Sequence, residues 1–214
     1  MTAPVRMDER TRAHAHMLAS LLLDYPDAVW FDRLPGLRAH AAALPTPIAG
    51  ELLAFIDAVS DSGPLALQRD YVATFDLKRK CSMYLSYYAT GDTRRRGTAL
   101  VAFLEAYRAA GWEFDAAELP DYLPAVLEFS ARSGSPIAGA LLAAHRDGLE
   151  VLRTALEGMG SPWAPVIRAV TASLPPIGER TRARVLALVN DGPPAETVGL
   201  SLPMPAFGFA GSTR

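Results

Sequence analysis

The chain has 214 residues, half of them apolar, so it is long enough to bury a substantial core. Its 21 Lys and Arg residues nearly balance 23 Asp and Glu residues, and the net charge of −2 excludes a polybasic protein that coats nucleic acid or an anionic membrane. A single cysteine, Cys81, excludes an internal disulfide and a cysteine-rich zinc site. The apolar run at 17–23 is too short to span a membrane and lacks a signal-peptide layout, which predicts a soluble, cytoplasmic protein.

Apolar residues recur at helical spacing along most of the chain, which predicts an all-α protein. In chain order, the first two helices are predicted over 8–23 and 28–43. The third is predicted to begin with Thr46 as its cap and Pro47 at its first position, and to end before Gly63.

The next segment places Leu67, Tyr71 and Phe75 one turn apart, as a core-facing amphipathic helix does. Further helices are predicted from Asp92 or Thr93 to Gly111 and over 121–132, 137–157, 163–173 and 179–190. No linker or repeat divides these segments. The expected fold is therefore a single-domain helical bundle of about nine to ten helices, covering residues 1–190.

Residues 191–214 differ from the rest because they contain four glycines, four prolines and three charged residues. This composition predicts an extended or disordered, irregular tail. The alternative is that its apolar residues dock in a groove of this or a neighbouring molecule; they are Leu200, Leu202, Met204, Phe207 and Phe209.

Catalytic motifs such as GxSxG, GxGxxG, HExxH and CxxC do not occur in the sequence. The four histidines are not spaced as a metal pair, so no metal site is expected. Cys81 follows three basic residues that would lower the pKa of its thiol, although a lone cysteine is also compatible with a purely structural place. The sequence favours a binding protein over an enzyme.

Three arginines stand at the predicted start of one helix: Arg94, Arg95 and Arg96. Cations oppose the positive end of the helix dipole, so this arrangement needs compensation. One explanation is a cap by Asp92, with the arginines in water. The other is a cationic ledge flanked by Tyr84, Tyr87 and Tyr88, which suits a peptide carboxylate, a phosphate or a nucleotide cofactor.

A second unusual segment contains Glu118 and Asp121 just before a helix. With Asp121 as the helix N-cap, Pro124 falls in the first turn, where proline is tolerated. This cap explains Asp121 but not Glu118. The alternative is that both carboxylates receive arginine side chains of a partner peptide.

Residues 75–97, 107–111, 118–123 and 127–129 together closely resemble the NarJ family of nitrate reductase molybdenum cofactor assembly chaperones. This family belongs to the redox-enzyme maturation chaperones, which also include TorD and DmsD. The resemblance is specific over about residues 70–130 of the sequence. Its most recognisable run is Glu118-Leu-Pro120-Asp121-Tyr-Leu123, in which Tyr122 stands where many members have histidine.

The resemblance implies an all-α cytoplasmic chaperone without catalysis of its own. It implies binding to the apo form of the catalytic α subunit of respiratory nitrate reductase, at its N-terminal segment, and assistance with cofactor insertion. The cofactor, bis-molybdopterin guanine dinucleotide, is handled on the client and is not bound stably by the chaperone. Molybdenum cofactor biosynthesis proteins are further expected partners, whereas nucleic acid and membrane insertion are not expected.

Client-peptide binding is accordingly assigned to seven residues: Glu118, Pro120, Asp121, Leu123, Tyr84, Tyr87 and Tyr88. A candidate anion or cofactor contact is assigned to Asp92, Arg94, Arg95 and Arg96. Two other classes of function remain as alternatives. One is an anion- or nucleotide-binding regulator or scaffold that uses the same arginines, and the other is a thiol-dependent enzyme centred on Cys81.

Overall fold

The computed structural model describes residues 4–91, 94–114 and 118–174, and in these ranges the protein is all-α, as predicted. Ten α-helices and one isolated antiparallel bridge make up its regular backbone within the described ranges, together with short π and 3₁₀ turns. No helix of the described part is both long and apolar enough to cross a membrane.

The helices follow one another with short connections: α1 Glu9–Leu22, α2 Ala28–Ala42, α3 Thr46–Ser60, α4 Pro64–Tyr71, α5 Tyr87–Thr90, α6 Arg95–Ala109, α7 Leu123–Arg132, α8 Pro136–Ala144, α9 Arg146–Gly158 and α10 Ala164–Ser173. A π turn, Val72–Asp76, continues α4, and a 3₁₀ turn covers Arg79–Cys81.

Helix α10 lies at the centre of the bundle and packs against α1, α3 and α9. Its sequence is apolar on nearly every side, as expected for a central helix. Its one charged residue, Arg168, donates to Glu51 on α3 (2.8 Å) and Glu157 on α9 (3.0 Å). The exception to the apolar pattern thus ties α10 to two neighbours.

The buried indole of Trp163, just before α10, organises the aromatic part of the core. Its ring centroid lies 6.1 Å from Phe55, 5.7 Å from Tyr71 and 5.3 Å from Phe75. Aromatic pairs at such spacings contribute packing energy beyond their buried area. The predicted stripe of Tyr71 and Phe75 does face the core.

The structure differs from three details of the predicted helices. The single helix predicted over 137–157 is wrong, because the chain breaks at His145 between α8 and α9. The His145 Nδ1–H donates to the Leu141 carbonyl (2.8 Å), which occupies a carbonyl at the end of α8. Helix α3 has Pro45 rather than Thr46 at its cap, and the segment after Tyr71 is a π turn rather than α-helix.

Three predictions lie outside the described residues. They are the helix at 179–190, the tail at 191–214 and the cap by Asp92.

Candidate functional site

The segment that carries Glu118 and Asp121 lies antiparallel to the segment before α5. The bridge pairs Tyr84 with Tyr122. The Leu85 amide donates to the Asp121 carbonyl (2.9 Å), and the Leu123 amide donates to the Met83 carbonyl (2.7 Å). Two stretches that are distant in sequence are therefore held as one backbone unit.

The Asp121 carboxylate is fully buried in this unit. Its Oδ2 accepts from the Ser86 amide (3.1 Å) and from the Ser86 hydroxyl (2.5 Å). Among the described residues its Oδ1 has no hydrogen-bond partner. The spacing predicted Asp121 as the N-cap of α7, but Tyr122 holds that position. Asp121 instead anchors the loop before α5.

Pro120 and Leu123 are also buried. The Pro120 carbonyl accepts from the buried hydroxyl of Tyr107 on α6 (2.8 Å). Three residues assigned to peptide contact thus point into the protein in this structure. Their place lets them fix the shape of the surface above them.

Exposed Glu118 and half-buried Tyr84 lie together at the surface of the predicted site. The Tyr84 hydroxyl donates to Glu118 Oε2 (3.1 Å), and the Arg96 guanidinium lies over the Tyr84 ring, 5.2 Å from its centroid. Burial, the hydrogen bond to Glu118 and its charge raise the pKa of Tyr84 to about 12, whereas Arg96 acts in the opposite direction. The exposed side chain of Leu119 adds an apolar group beside the carboxylate.

Tyr87 and Tyr88 on α5 differ in their surroundings, although both are half-buried. The Tyr88 hydroxyl donates to the Ser82 carbonyl (2.7 Å). Its ring packs so closely on Gly148 that a Cβ there would lie 2.9 Å from the Cβ of Tyr88. Tyr88 therefore holds α5 against α9, while Tyr87 is the better placed of the two for an external contact.

The arginines occupy the start of α6 as predicted. Arg94 is its N-cap residue, and Arg94 and Arg95 are exposed, whereas Arg96 is half-buried near Tyr84. At the start of α6, two exposed cations therefore stand beside a third that packs on an aromatic ring.

Of the two alternatives left open for Cys81, the structure favours the structural one over an activated thiol. The thiol is buried, and burial raises its pKa, although the charge of Lys78 acts in the opposite direction. No group of three or more His, Cys, Asp or Glu side chains in the described ranges is placed to hold a metal ion.

A series of tyrosine rings extends from this site across the protein and was missed in the sequence. Tyr84 lies 5.5 Å from Tyr122, the Tyr122 hydroxyl lies 3.2 Å from that of Tyr71, and Tyr71 lies 5.4 Å from the ring of Tyr25. The pKa of Tyr122 is raised to about 12, mainly by burial; the hydrogen bond with Tyr71 lowers this pKa, and the charges of Asp24 and then Glu118 raise it.

The series ends at an open groove of about 310 Å³ beside α4 and the π turn. Its lining is mostly apolar and comprises Tyr25, Leu65, Gln68, Arg69, Val72, Ala73 and Leu77. The spacing of Leu65, Arg69 and Val72 is helical, so the sequence contained a signal for this second face. We call this surface the α4 groove.

A second cavity, of about 340 Å³, lies between α1, α7 and α8, near the buried ring of His16. His16 Nδ1 lies 2.8 Å from the Ser130 hydroxyl, and Nε2 lies 2.9 Å from the Ser173 hydroxyl. Burial, and secondly Arg12, lower the pKa of His16 to about 3. A base this weak is unsuited to proton transfer near neutral pH, so the network fixes three helices rather than activating a serine.

The chain is similar both to a protein family and to individual relatives. A family model described as the nitrate reductase delta subunit matches residues 41–169. The probable nitrate reductase molybdenum cofactor assembly chaperone NarJ of Bacillus subtilis is 34% identical over 162 residues, which is 75% of this chain and 88% of the relative.

Two further relatives differ in how much of their own length is matched. The nitrate reductase molybdenum cofactor assembly chaperone NarJ of Escherichia coli K12 is 36% identical over 119 residues, 54% of this chain and 50% of the relative. The nitrate reductase-like protein NarX of Mycobacterium tuberculosis is 34% identical over 161 residues, 75% of this chain and 24% of the relative.

Proposed function

Because the chain belongs to the nitrate reductase delta subunit family, we propose that it is a chaperone dedicated to respiratory nitrate reductase. It binds the apo form of the catalytic α subunit through that subunit's N-terminal segment and assists molybdenum cofactor insertion and enzyme assembly. The work takes place in the cytoplasm and involves no catalysis by this chain. The names of the relatives and the geometry around Glu118 support this proposal.

The peptide-binding part of this proposal rests on the exposed Glu118 carboxylate beside Tyr84. A carboxylate next to an aromatic ring and the exposed Leu119 can pair with a basic side chain and cover its apolar stem. The backbone bridge between Tyr84 and Tyr122 makes this surface rigid before a partner arrives. A rigid site loses less conformational entropy on binding.

Three buried residues beneath this surface hold it in place: Pro120, Asp121 and Leu123. Asp121 fixes the loop before α5 through Ser86, and the Pro120 carbonyl is held by Tyr107. Removal of these contacts shifts Tyr84 and Glu118 relative to each other. We therefore treat the three buried residues as positioning residues and Glu118, Tyr84 and Tyr87 as the groups that touch the client.

Capture and release need no energy source of their own. A micromolar affinity corresponds to about 8 kcal/mol, which holds the client segment while still allowing it to dissociate. When the client folds around its cofactor and withdraws the segment, mass action favours the free chaperone.

The exposed Arg94 and Arg95 supply the cofactor-facing part of the proposal. Guanidinium groups bind phosphate oxygens in a bidentate manner, so this ledge suits the pyrophosphates of bis-molybdopterin guanine dinucleotide as cargo during transfer to the client. The double variant Arg94→Ala/Arg95→Ala leaves Arg96 on the Tyr84 ring. It is expected to lower cofactor insertion into the client and to retain peptide affinity; unchanged insertion removes this role.

The direct test is calorimetric titration of the protein with a synthetic N-terminal peptide of the α subunit, about 30 residues long, which allows roughly eight helical turns. Saturable binding is expected for the wild type. Glu118→Gln keeps the shape of the side chain but removes its charge, and is expected to weaken binding by roughly twofold to fivefold, the range for one exposed ion pair.

Glu9→Gln is the matched control, since Glu9 is an exposed acid beside Ser130 at the other end of α7. It is expected to leave the affinity unchanged. Absence of binding by the wild type contradicts the peptide-binding function. Saturable binding of a guanine nucleotide without any peptide would instead favour an anion-binding regulator or scaffold that uses Arg94–Arg96.

A further inference from the structure

Two buried side chains, Asp121 and His145, each have one polar atom without a hydrogen-bond partner in the described part of the chain. The side chains belong to residues that are 0% and 4% exposed, and the atoms are Asp121 Oδ1 and His145 Nε2. Folded proteins rarely leave a buried polar atom unsatisfied, because its lost hydration is then not replaced. Each atom therefore needs a partner that the described residues do not supply.

Both atoms are hydrogen-bond acceptors. His145 Nδ1 lies 2.8 Å from the Leu141 carbonyl, which can only accept, so Nδ1 carries a proton. Burial lowers the pKa of His145, against the hydrogen bond to Leu141 and the charge of Asp121. The ring is therefore neutral near neutral pH, and Nε2 has a lone pair. On Asp121, the amide and the hydroxyl of Ser86 both donate to Oδ2, which leaves the lone pairs of Oδ1.

Helix α6 brings the two side chains together. Phe103 and Tyr107 are four residues apart on α6, so they lie on one face of it, a turn apart. The Phe103 ring lies 5.1 Å from the His145 ring. The Tyr107 hydroxyl donates to the carbonyl of Pro120, the residue before Asp121. The imidazole and the carboxylate therefore pack over neighbouring turns of the same helix.

A second contact joins the same two regions. Ser86, the partner of Asp121, precedes α5 as its N-cap residue. Tyr88, two residues later, packs against Gly148, which follows His145 by three residues on α9. The two contacts converge on one buried region between the loop before α7 and the break between α8 and α9. The effect of the Asp121 charge on His145 agrees with this closeness.

A partner for this region has to donate two hydrogen bonds, because two acceptors cannot bond to each other without a proton between them. Water donates two, fits a closed interior, and commonly satisfies buried polar groups in folded proteins. We propose that Asp121 and His145 together bind one buried water molecule, which donates to Asp121 Oδ1 and to His145 Nε2.

This water connects the segment 118–123 to the break between α8 and α9. It also accounts for a histidine at that break, since one ring nitrogen donates to the end of α8 and the other accepts from the water. The site goes beyond the proposed function, because it is complete within this chain and needs no client.

The protonation of the ring tests the acceptor role of Nε2. Long-range proton–nitrogen NMR spectra of the full-length protein near neutral pH distinguish the two neutral tautomers and the cation. His145 is expected to be neutral with its proton on Nδ1. A proton on His145 Nε2 overturns the proposal, because a direct bond to Asp121 would then satisfy both atoms.

His16 provides an internal comparison in the same spectra. The Ser173 hydroxyl donates to the Val170 carbonyl (2.7 Å), so it accepts from His16 Nε2–H (2.9 Å). The two buried histidines are therefore expected to be opposite tautomers.

A crystal structure of the full-length protein, at a resolution that shows ordered water, locates the ligand directly. One water is expected at about 2.7–3.0 Å from both Asp121 Oδ1 and His145 Nε2. Direct contact between these two atoms, a water bound to only one of them, or no water at this place overturns the proposal.

Variants of His145 separate water binding from ring packing. His145→Gln has an amide oxygen that can accept from the water but loses the ring beside Phe103, whereas His145→Phe keeps a ring but has no acceptor. His145→Gln is therefore expected to unfold at a higher urea concentration than His145→Phe. Equal midpoints or the reverse order overturn the proposal. The same substitutions at exposed His40 on α2 are the controls, and similar midpoints are expected there. The two wild-type measurements decide the matter if a His145 variant does not fold.

Discussion

Replacement of Asp121 by alanine is expected to destabilise the fold rather than simply remove a surface charge. The carboxylate is fully buried and accepts two hydrogen bonds from Ser86. Asp121→Ala leaves a buried amide and a buried hydroxyl without this acceptor, and each unsatisfied donor costs about 1–3 kcal/mol. The expected loss in the free energy of unfolding is therefore about 2–5 kcal/mol, which corresponds to about 5–15 °C in Tm for a domain of this size.

Urea denaturation followed by far-UV circular dichroism measures this loss. Asp121→Asn retains one oxygen that can accept both bonds, so less than half of the alanine effect is expected. A double-mutant cycle with Ser86→Ala is expected to show coupling, because the two residues share one interaction. Asp32→Ala, on the exposed side of α2, serves as the control and should change the stability by less than about 0.5 kcal/mol.

The reasoning is refuted if Asp121→Ala unfolds at the wild-type urea concentration yet loses peptide binding. That result would place the carboxylate in direct contact with the client. A stable variant with normal binding would refute both the anchoring role and the positioning role.

Three other predictions concern the interior. The pKa of His16 is about 3 in the folded protein and 6.5 in an unfolded chain, so the stability that neutral His16 contributes is present above pH 6.5 and falls as the pH drops. Relative to His16→Gln, the wild type should therefore lose about 2 kcal/mol of unfolding free energy between pH 7 and pH 5. The same pH dependence of the unfolding free energy for both proteins in urea denaturation would contradict this. Gly148→Ala should lower the free energy of unfolding by about 1–3 kcal/mol, because its Cβ would clash with Tyr88. Gly50 in α3 has open space around it, so Gly50→Ala should raise the free energy of unfolding by about 0.5–1 kcal/mol. Thermal melts distinguish the two variants. The thiol of Cys81 should react with a thiol reagent only as fast as the protein opens, and rapid labelling of the native protein would contradict its burial.

The family resemblance carried by residues 75–129 is confirmed by the family model and by the relatives. The residues in that region include both conspicuous side chains at the surface, such as Glu118, and buried ones, such as Asp121. A shared motif therefore identified the family without distinguishing surface residues from buried ones.

The positions of the helices followed from the sequence because they depend on neighbours three and four residues apart. The stripe of Ile48, Leu52 and Phe55 predicted α3, and all three side chains are buried. The helices α1, α2 and α10 likewise begin and end within a residue or two of the predicted ranges. Amphipathic periodicity is a local property of the sequence, so it can be recognised without knowledge of the fold.

The tertiary structure decided what the polar and exposed residues do. Asp121 looked like a helix cap because the nearest amides in sequence are those of α7, yet its partner is Ser86, 35 residues away. Likewise, Leu65 and Leu77 fit a helical pattern, but only the packing of Tyr71 and Phe75 on Trp163 showed which face stays open. Hydrogen bonds and exposure depend on which distant surfaces meet, and the chain order of the residues does not specify those meetings.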